Sequence, residues 1–146
     1  MTRIDRSALL PHSARQLFEL VADIERYPEF LNGCREATIL SATEQEVTAR
    51  LGLSRSGISQ SFVTRNRMQP HEVIELNLVE GPFESFSGRW QFMALAEKAC
   101  KVSLSLEFSM SSGLASAAAG KLFDQVASDL VDAVVRRAGA VLGASS

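Results

Sequence analysis

A chain of 146 residues with 46% apolar and 22% charged residues is long enough to bury one substantial core, and this composition is far from the signature of disorder. The formal charge of −2 excludes a globally basic protein drawn by its overall field to nucleic acid or anionic membrane, so any such role needs a local patch. Two cysteines, Cys34 and Cys100, are too few for a disulfide framework and fit no metal-ligand spacing; they read as buried free thiols in a reducing compartment.

Charges at Arg3, Asp5 and Arg6 break any apolar run at the start, and no later stretch stays apolar long enough to span a bilayer. The expectation is a cytoplasmic protein with one domain over residues 1–146. Ile4 to Leu10 leans apolar and ends at Pro11, which predicts a first strand. Ser13-Ala-Arg-Gln16 has the form of a capping box, so a helix starts there, with Leu17, Phe18, Leu20 and Val21 on its apolar side. Asp23 is placed to cap a second short helix that stops before Pro28.

From Ala37 the period changes from helical to alternating, the mark of half-buried strands. A less regular segment covers Ala37 to Ala42. Val47, Ala49, Leu51 and Leu53 then alternate with polar residues up to a turn at Ser56-Gly57. Ile58 and Phe62 share a face before a turn at Gln69-Pro70-His71; Ile74, Leu76 and Leu78 share another before Gly81-Pro82. Phe86, Gly88, Trp90 and Phe92 follow, then Val102, Leu104, Leu106, Phe108 and Met110. The pattern is about seven strands with short connections, an antiparallel meander with one greasy face.

The chain closes on its longest element. Leu122, Phe123, Val126, Leu130, Val134 and Ala138 recur at three- and four-residue steps, while Lys121, Asp124, Gln125, Ser128, Asp129, Asp132 and Arg136 cover the other side. This predicts a helix from Gly113 to Gly143, roughly 40 Å long, with Asp132 and Arg136 as an i,i+4 surface pair. It is the only element able to cover the greasy face. The fold class is α+β: a curved antiparallel sheet wrapped around a long C-terminal helix, with two short helices after the first strand.

A curved sheet and a straight helix leave a gap unless bulky side chains fill it. Ala49, Gly88, Ala117, Ala118, Ala119 and Gly120 supply little bulk, which reads either as a pocket for an apolar ligand or as close helix-on-sheet packing. The candidate lining is Phe30, Ile58, Gln60, Phe62, Thr64, Leu76, Phe83, Phe86, Trp90, Phe92, Leu122, Phe123, Val126 and Leu130. Within it Gln60 and Thr64 share parity with Phe62, so they either orient a carbonyl-bearing ligand, or pair with backbone at a sheet edge or face ordered water.

Catalytic machinery is nearly lacking. His12 and His71 each follow a proline at an element boundary and read as solvent-exposed. Glu75, Glu107 and Arg50 point outward by parity, so no pair is set for acid–base work. There is no phosphate-binding glycine loop, metal cluster or nucleophile elbow, and the expectation is no catalysis, no metal and no cofactor chemistry.

Several stretches together resemble the coenzyme Q-binding branch of the START-like (helix-grip) superfamily. They are Tyr27-Pro28-Glu29-Phe30-Leu31 with Gly33-Cys34; Gly57-Ile58-Ser59 leading into Phe62-Val63-Thr64-Arg65-Asn66; and Leu78-Val79-Glu80-Gly81-Pro82-Phe83 followed by Gly88-Arg89-Trp90 and Phe92. The resemblance spans almost the whole chain, with one departure: Asn32 stands where the family usually has proline. It implies a helix-grip domain that binds ubiquinone or a similar isoprenoid or lipid without transforming it, as a carrier or chaperone supporting respiration, with transient membrane contact. The same superfamily includes bacterial ribosome-association toxins of toxin–antitoxin systems, described as binding the large ribosomal subunit and blocking subunit joining, and proteins named polyketide cyclases or dehydratases. A ribosomal partner needs a basic surface, for which Arg50, Arg55, Arg65 and Arg67 are the outward candidates. No role with DNA is expected. A cyclase needs an inward acid or base, and only Gln60, Thr64 and Tyr27 offer polar groups.

Overall fold

The computed structural model describes residues 2–143, with 114–116 given by backbone alone. Strand β1 (Thr2–Leu10) leads through α1 (Ala14–Ala22) and a 3-10 helix (Ile24–Glu29) to β2 (Cys34–Ala42). There follow β3 (Glu46–Arg55), β4 (Ile58–Gln69), β5 (Val73–Glu80), β6 (Phe83–Ala96), β7 (Ala99–Met110) and α2 (Leu114–Leu142). The strands form one seven-stranded sheet in the order β1-β7-β6-β5-β4-β3-β2, antiparallel throughout. The excursion through α1 carries the chain from one sheet edge to the other, so β2 through β7 are laid down as a meander. Two helical segments do sit after β1 and the long helix closes the chain, as the period changes predict.

The sheet has an inside because each strand alternates. In β7, Cys100, Val102, Leu104, Leu106 and Phe108 are buried while Lys101 and Glu107 between them are exposed. Irregularities at Cys34/Glu36, Ile39/Ser41, Val63/Thr64, Phe83/Ser85 and Ala94/Ala96 bend the strands, as bulges do. The curved inner face holds α2, whose Leu122, Phe123, Val126, Val131, Val134 and Ala138 are buried and whose Lys121, Asp124, Asp129, Asp132 and Arg136 are exposed. At about 1.5 Å per residue α2 is about 43 Å long, enough to cross the sheet.

The capping box at Ser13 forms in full: Ser13 Oγ accepts from the Gln16 N–H at 3.1 Å and Gln16 Oε1 accepts from the Ser13 N–H at 3.1 Å. Other local expectations are corrected. Asp23 makes no side-chain cap, its backbone N–H bonding Glu19 O instead, and the following turn is 3-10 and contains Pro28 rather than stopping before it. A 3-10 turn needs few backbone donors, so proline is accommodated. His12 is buried (2% exposed) with Nδ1 unpaired, because the chain turns there from the end of β1 into α1, which packs on β6 and β7. His71 is exposed, at φ 67° in the β4–β5 turn.

Asp132 and Arg136 form no ion pair. The ionic contacts of α2 reach other elements: Arg137 Nη2 meets Glu29 Oε1 at 2.8 Å, and Arg55 Nη2 meets Asp129 Oδ2 at 3.3 Å and the Asn32 carbonyl at 2.9 Å. These contacts pin both the 3-10 segment and the end of β3 to α2. Gly33 allows the approach, since a Cβ there would lie 2.8 Å from Val126 Cγ2 and its φ is 95°. Among the described residues no helix is long and apolar enough to cross a membrane.

Candidate functional site

The inner faces of β3 to β7 curve away from α2, and the space left between them is an apolar cavity of about 70 Å³. Strand β3 contributes Ala49, Leu51 and Leu53, β4 contributes Phe62, Thr64 and Asn66, and α2 contributes Phe123, Val126, Ala127 and Leu130. Leu76, Phe86, Trp90, Leu104 and Leu106 form the far wall, and Ile24, Tyr27 and Leu31 close one end. Tyr27 is held there by donating its hydroxyl to the Val21 carbonyl. Burial pushes its phenol above the ordinary value, with Cys34 and Asp23 adding to the effect.

Of the small residues, Ala49 alone among those proposed to open space lines the cavity. Gly88 is a packing position: a Cβ there would collide with Leu106 Cδ2 and press on Leu76. Gly120 is another, with Met110 Cγ 2.7 Å from where its Cβ would lie. Much of the remaining gap is filled by rings. Phe123 meets Phe62, Phe83, Phe86 and Phe108 at centroid distances of 5.5, 5.1, 5.7 and 4.7 Å, all edge-on. The volume left has room for about two waters and is about half that of an apolar cavity known to admit benzene.

Eight residues of the candidate lining meet at this cavity: Phe62, Thr64, Leu76, Phe86, Trp90, Phe123, Val126 and Leu130. Six lie elsewhere. Phe83 is enclosed within the ring cluster, and Phe92 stacks on Trp90 and faces Phe18 of α1. Leu122 is buried on α2 one position round from the cavity side. Phe30 is half-buried beneath the Arg137 guanidinium, 5.3 Å from its ring centroid. Ile58 stands at the start of β4 opposite Arg55, beyond the cavity's end; Gln60 lies opposite the lining residue Leu53, but its amide donates to Ser61 O at 2.9 Å beside Arg35 and Glu36 rather than facing the interior.

The residue not nominated and most distinctive is Asn66. It shares parity with Phe62 and Thr64, so alternation carried two residues further along β4 finds it. Thr64 and Asn66 are 5% and 6% exposed, and the Thr64 hydroxyl donates to Asn66 Oδ1 at 2.9 Å. Among the described residues Tyr27 is the only titratable side chain lining the cavity, and its hydroxyl is engaged; no described carboxylate or imidazole lines it. Cys34 is buried nearby under the 3-10 segment, and burial pushes its thiol up to about 11. Among the described residues no cluster of three His, Cys, Asp or Glu is placed to hold a metal.

The opposite side of the sheet faces solvent and carries arginines. Arg50, Arg65, Arg67 and Arg89 are exposed on β3, β4 and β6. Arg65 and Arg67, two apart on one strand, stand about 7 Å apart, and Arg50 lies on the diagonal from Arg65 at a similar spacing. Arg67 and Arg89 flank Glu75 in one cross-strand row, about 10 Å apart. Arg65 pairs with Glu46 at 3.8 Å and Arg89 with Glu75 at 3.0 Å, whereas Arg50 and Arg67 make no ion pair within the described residues. Arg55 does not belong to this face, being turned inward to Asp129 and half-buried.

The family described as polyketide cyclase / dehydrase and lipid transport matches residues 10–135. A curated relative from Pseudomonas aeruginosa, named ribosome association toxin RatA, is 47% identical over 142 residues, covering 97% of this chain and 99% of its own length. A mitochondrial coenzyme Q-binding protein COQ10 homolog B from Xenopus laevis is 24% identical, over 94% of this chain and 58% of its own length. The crystal structure of the Zhui aromatase/cyclase from Streptomyces sp. R1128 superposes with a TM-score of 0.85 at 17% identity, covering 98% of this chain and 96% of that one, a likeness of fold. With the family match spanning most of its length and the seven-stranded grip on α2 in place, this chain belongs to the polyketide cyclase / dehydrase and lipid transport family, with the START-like helix-grip fold.

Proposed function

We propose that this protein is a ribosome-association toxin: it binds the large ribosomal subunit through the solvent face of its sheet and inhibits the start of translation. The observation that carries the reading is the array of Arg50, Arg65, Arg67 and Arg89 on an exposed face of a chain whose formal charge is −2. Guanidinium groups spaced about 7–10 Å apart suit the phosphates of a folded RNA. A relative 47% identical over 99% of its own length is named for ribosome association, which supports a ribosomal partner. A ribosomal partner is consistent with a cytoplasmic protein.

Cosedimentation with large subunits across a salt series tests this. With four phosphate contacts the logarithmic salt slope is about −3, so association weakens about fifty-fold between 50 and 200 mM salt. Arg50→Gln and Arg67→Gln, which break no ion pair among the described residues, each make the slope shallower by about 0.7. Absence of association at the lowest salt refutes the reading.

The cavity favours a second reading, a noncatalytic carrier of a ubiquinone-like or other lipid. Its apolar lining supports this, and the lack of a carboxylate or imidazole there supports binding over transformation. The volume of about 70 Å³ means that a quinone ring enters only if the ring cluster around Phe123 gives way. Mass spectrometry of a lipid extract from protein made in a quinone-producing host checks it; a consistently empty protein refutes it.

A further inference from the structure

Thr64 and Asn66 of β4 bring polar groups to the cavity. The Thr64 hydroxyl is spent on Asn66 Oδ1, the hydrogen bond that holds the Asn66 side chain among the described residues, and Asn66 lines the cavity at 6% exposure. The amide nitrogen is not among the sealed polar atoms, so it keeps access to the cavity that Leu76, Phe86 and Trp90 also line, and an acceptor placed there can take its hydrogen bond. In this arrangement Oδ1 is occupied by the Thr64 hydroxyl, and the two N–H donors lie on the other side of the amide.

We infer that Asn66, oriented by Thr64, is the recognition point of an interior binding site for a neutral apolar molecule that presents a carbonyl oxygen. The donors select an acceptor, the surrounding side chains exclude charge, and the available volume of about 70 Å³ takes the carbonyl end in place of about two waters, the carbons behind it entering as the half-buried wall gives way. Leu51, Leu76, Phe86 and Leu130 line the cavity yet are half-buried, so the lining is not sealed and a longer guest has apolar surface to follow. The inference rests on the interior being a ligand site, the second reading above.

The test titrates uniformly 15N-labelled protein with acetone and, separately, with 2-methylpropene, which has the same shape without the oxygen. The indole N–H of Trp90, the only tryptophan and a lining residue, reports occupancy; the Asn66 side-chain amide reports recognition. Saturable shifts of the Trp90 resonance with both probes, and of the Asn66 amide with acetone alone, are the expected result. In Asn66→Leu the ratio of acetone affinity to 2-methylpropene affinity falls about tenfold, the effect of one lost hydrogen bond. If both probes move Trp90 but the Asn66 amide stays silent, or the ratio is unchanged in the variant, the carbonyl inference is overturned while the interior site stands. If neither probe produces a saturable shift, the interior site falls with it.

Discussion

Replacing Phe123 with alanine tests whether the interior is held by rings rather than by an open pocket. Phe123 is 7% exposed and makes edge contacts with four other phenylalanines, so its neighbours are fixed from several elements and collapse only partly. Removing the ring frees about 100 Å³, which at about 24 cal/mol per Å³ costs about 2.4 kcal/mol. The lost transfer of the phenyl group adds about 2 kcal/mol. The sum of about 4–5 kcal/mol is within the range for buried Phe→Ala changes and corresponds to a fall in Tm of about 10–15 °C for a domain of this size. Added to the existing 70 Å³, the enlarged cavity reaches about 170 Å³, enough for benzene. Urea denaturation with and without benzene is the assay: the variant loses 4–5 kcal/mol and, at ten times the dissociation constant, benzene returns about 1.4 kcal/mol. A loss below 1.5 kcal/mol, or a benzene effect as large in the parent protein, refutes the claim that Phe123 fills this space.

Three further outcomes follow from particular contacts. Gly88→Ala forces its methyl into Leu106 and Leu76, and a fall of about 1–3 kcal/mol in unfolding free energy is expected from the urea midpoint. Glu29 is held below its ordinary range by Arg26 first and Arg137 second, so the stabilisation it brings is full above its unfolded value of 4.5 and is lost as pH falls through the lower folded value. The advantage of the parent protein over Glu29→Gln in urea midpoint therefore shrinks between pH 6 and pH 3. For Cys34, raised from 9.0 to about 11 by burial, the folded form resists ionisation that the unfolded chain undergoes; stability from this group is present below pH 9 and falls as pH rises through about 11. Iodoacetamide accordingly modifies Cys34 slowly in native protein at pH 8 and rapidly in urea, as followed by mass spectrometry.

Alternation made the inside of the sheet readable because its period is two: Phe62, Thr64, Trp90 and Leu106 all face the helix as their parity requires. The bounds of α2 were equally plain, since Gly113 and Gly143 flank it on both sides. Parity says which face a residue takes and nothing of its position along the strand. Ile58 therefore shares a face with Phe62 yet stands past Leu53 at the end of the cavity, Gln60 stands level with Leu53 but turns its amide back to the Ser61 carbonyl, and Phe92 shares a face with Trp90 yet sits under α1. Gly88 and Gly120 looked like openings because a missing side chain does not reveal what moves into its place, here Leu106 and Met110. Arg55 and His12 were misplaced for a related reason, as their surroundings come from segments distant in the chain: Asp129 lies 74 residues from Arg55, and the turn that buries His12 is set by α1 packing on β6 and β7.

Strand β4 carries both candidate sites back to back. Arg65 and Arg67 leave toward solvent while Thr64 and Asn66 enter the cavity, each one residue from its neighbour of the other set. The strand is hydrogen-bonded on one side to β3 and on the other to β5, so its backbone is fixed and a change in one face does not displace the other. Asn66→Leu is therefore expected to leave the salt slope of ribosome cosedimentation unchanged, and Arg67→Gln to leave the acetone response of the Asn66 amide unchanged. Linkage makes the converse equally measurable: if a guest in the cavity alters ribosome affinity by some factor, the ribosome must alter guest affinity by the same factor. A shift of more than about threefold in cosedimentation of Asn66→Leu, with its fold intact, breaks the independence of the two faces and makes the strand itself the coupling element.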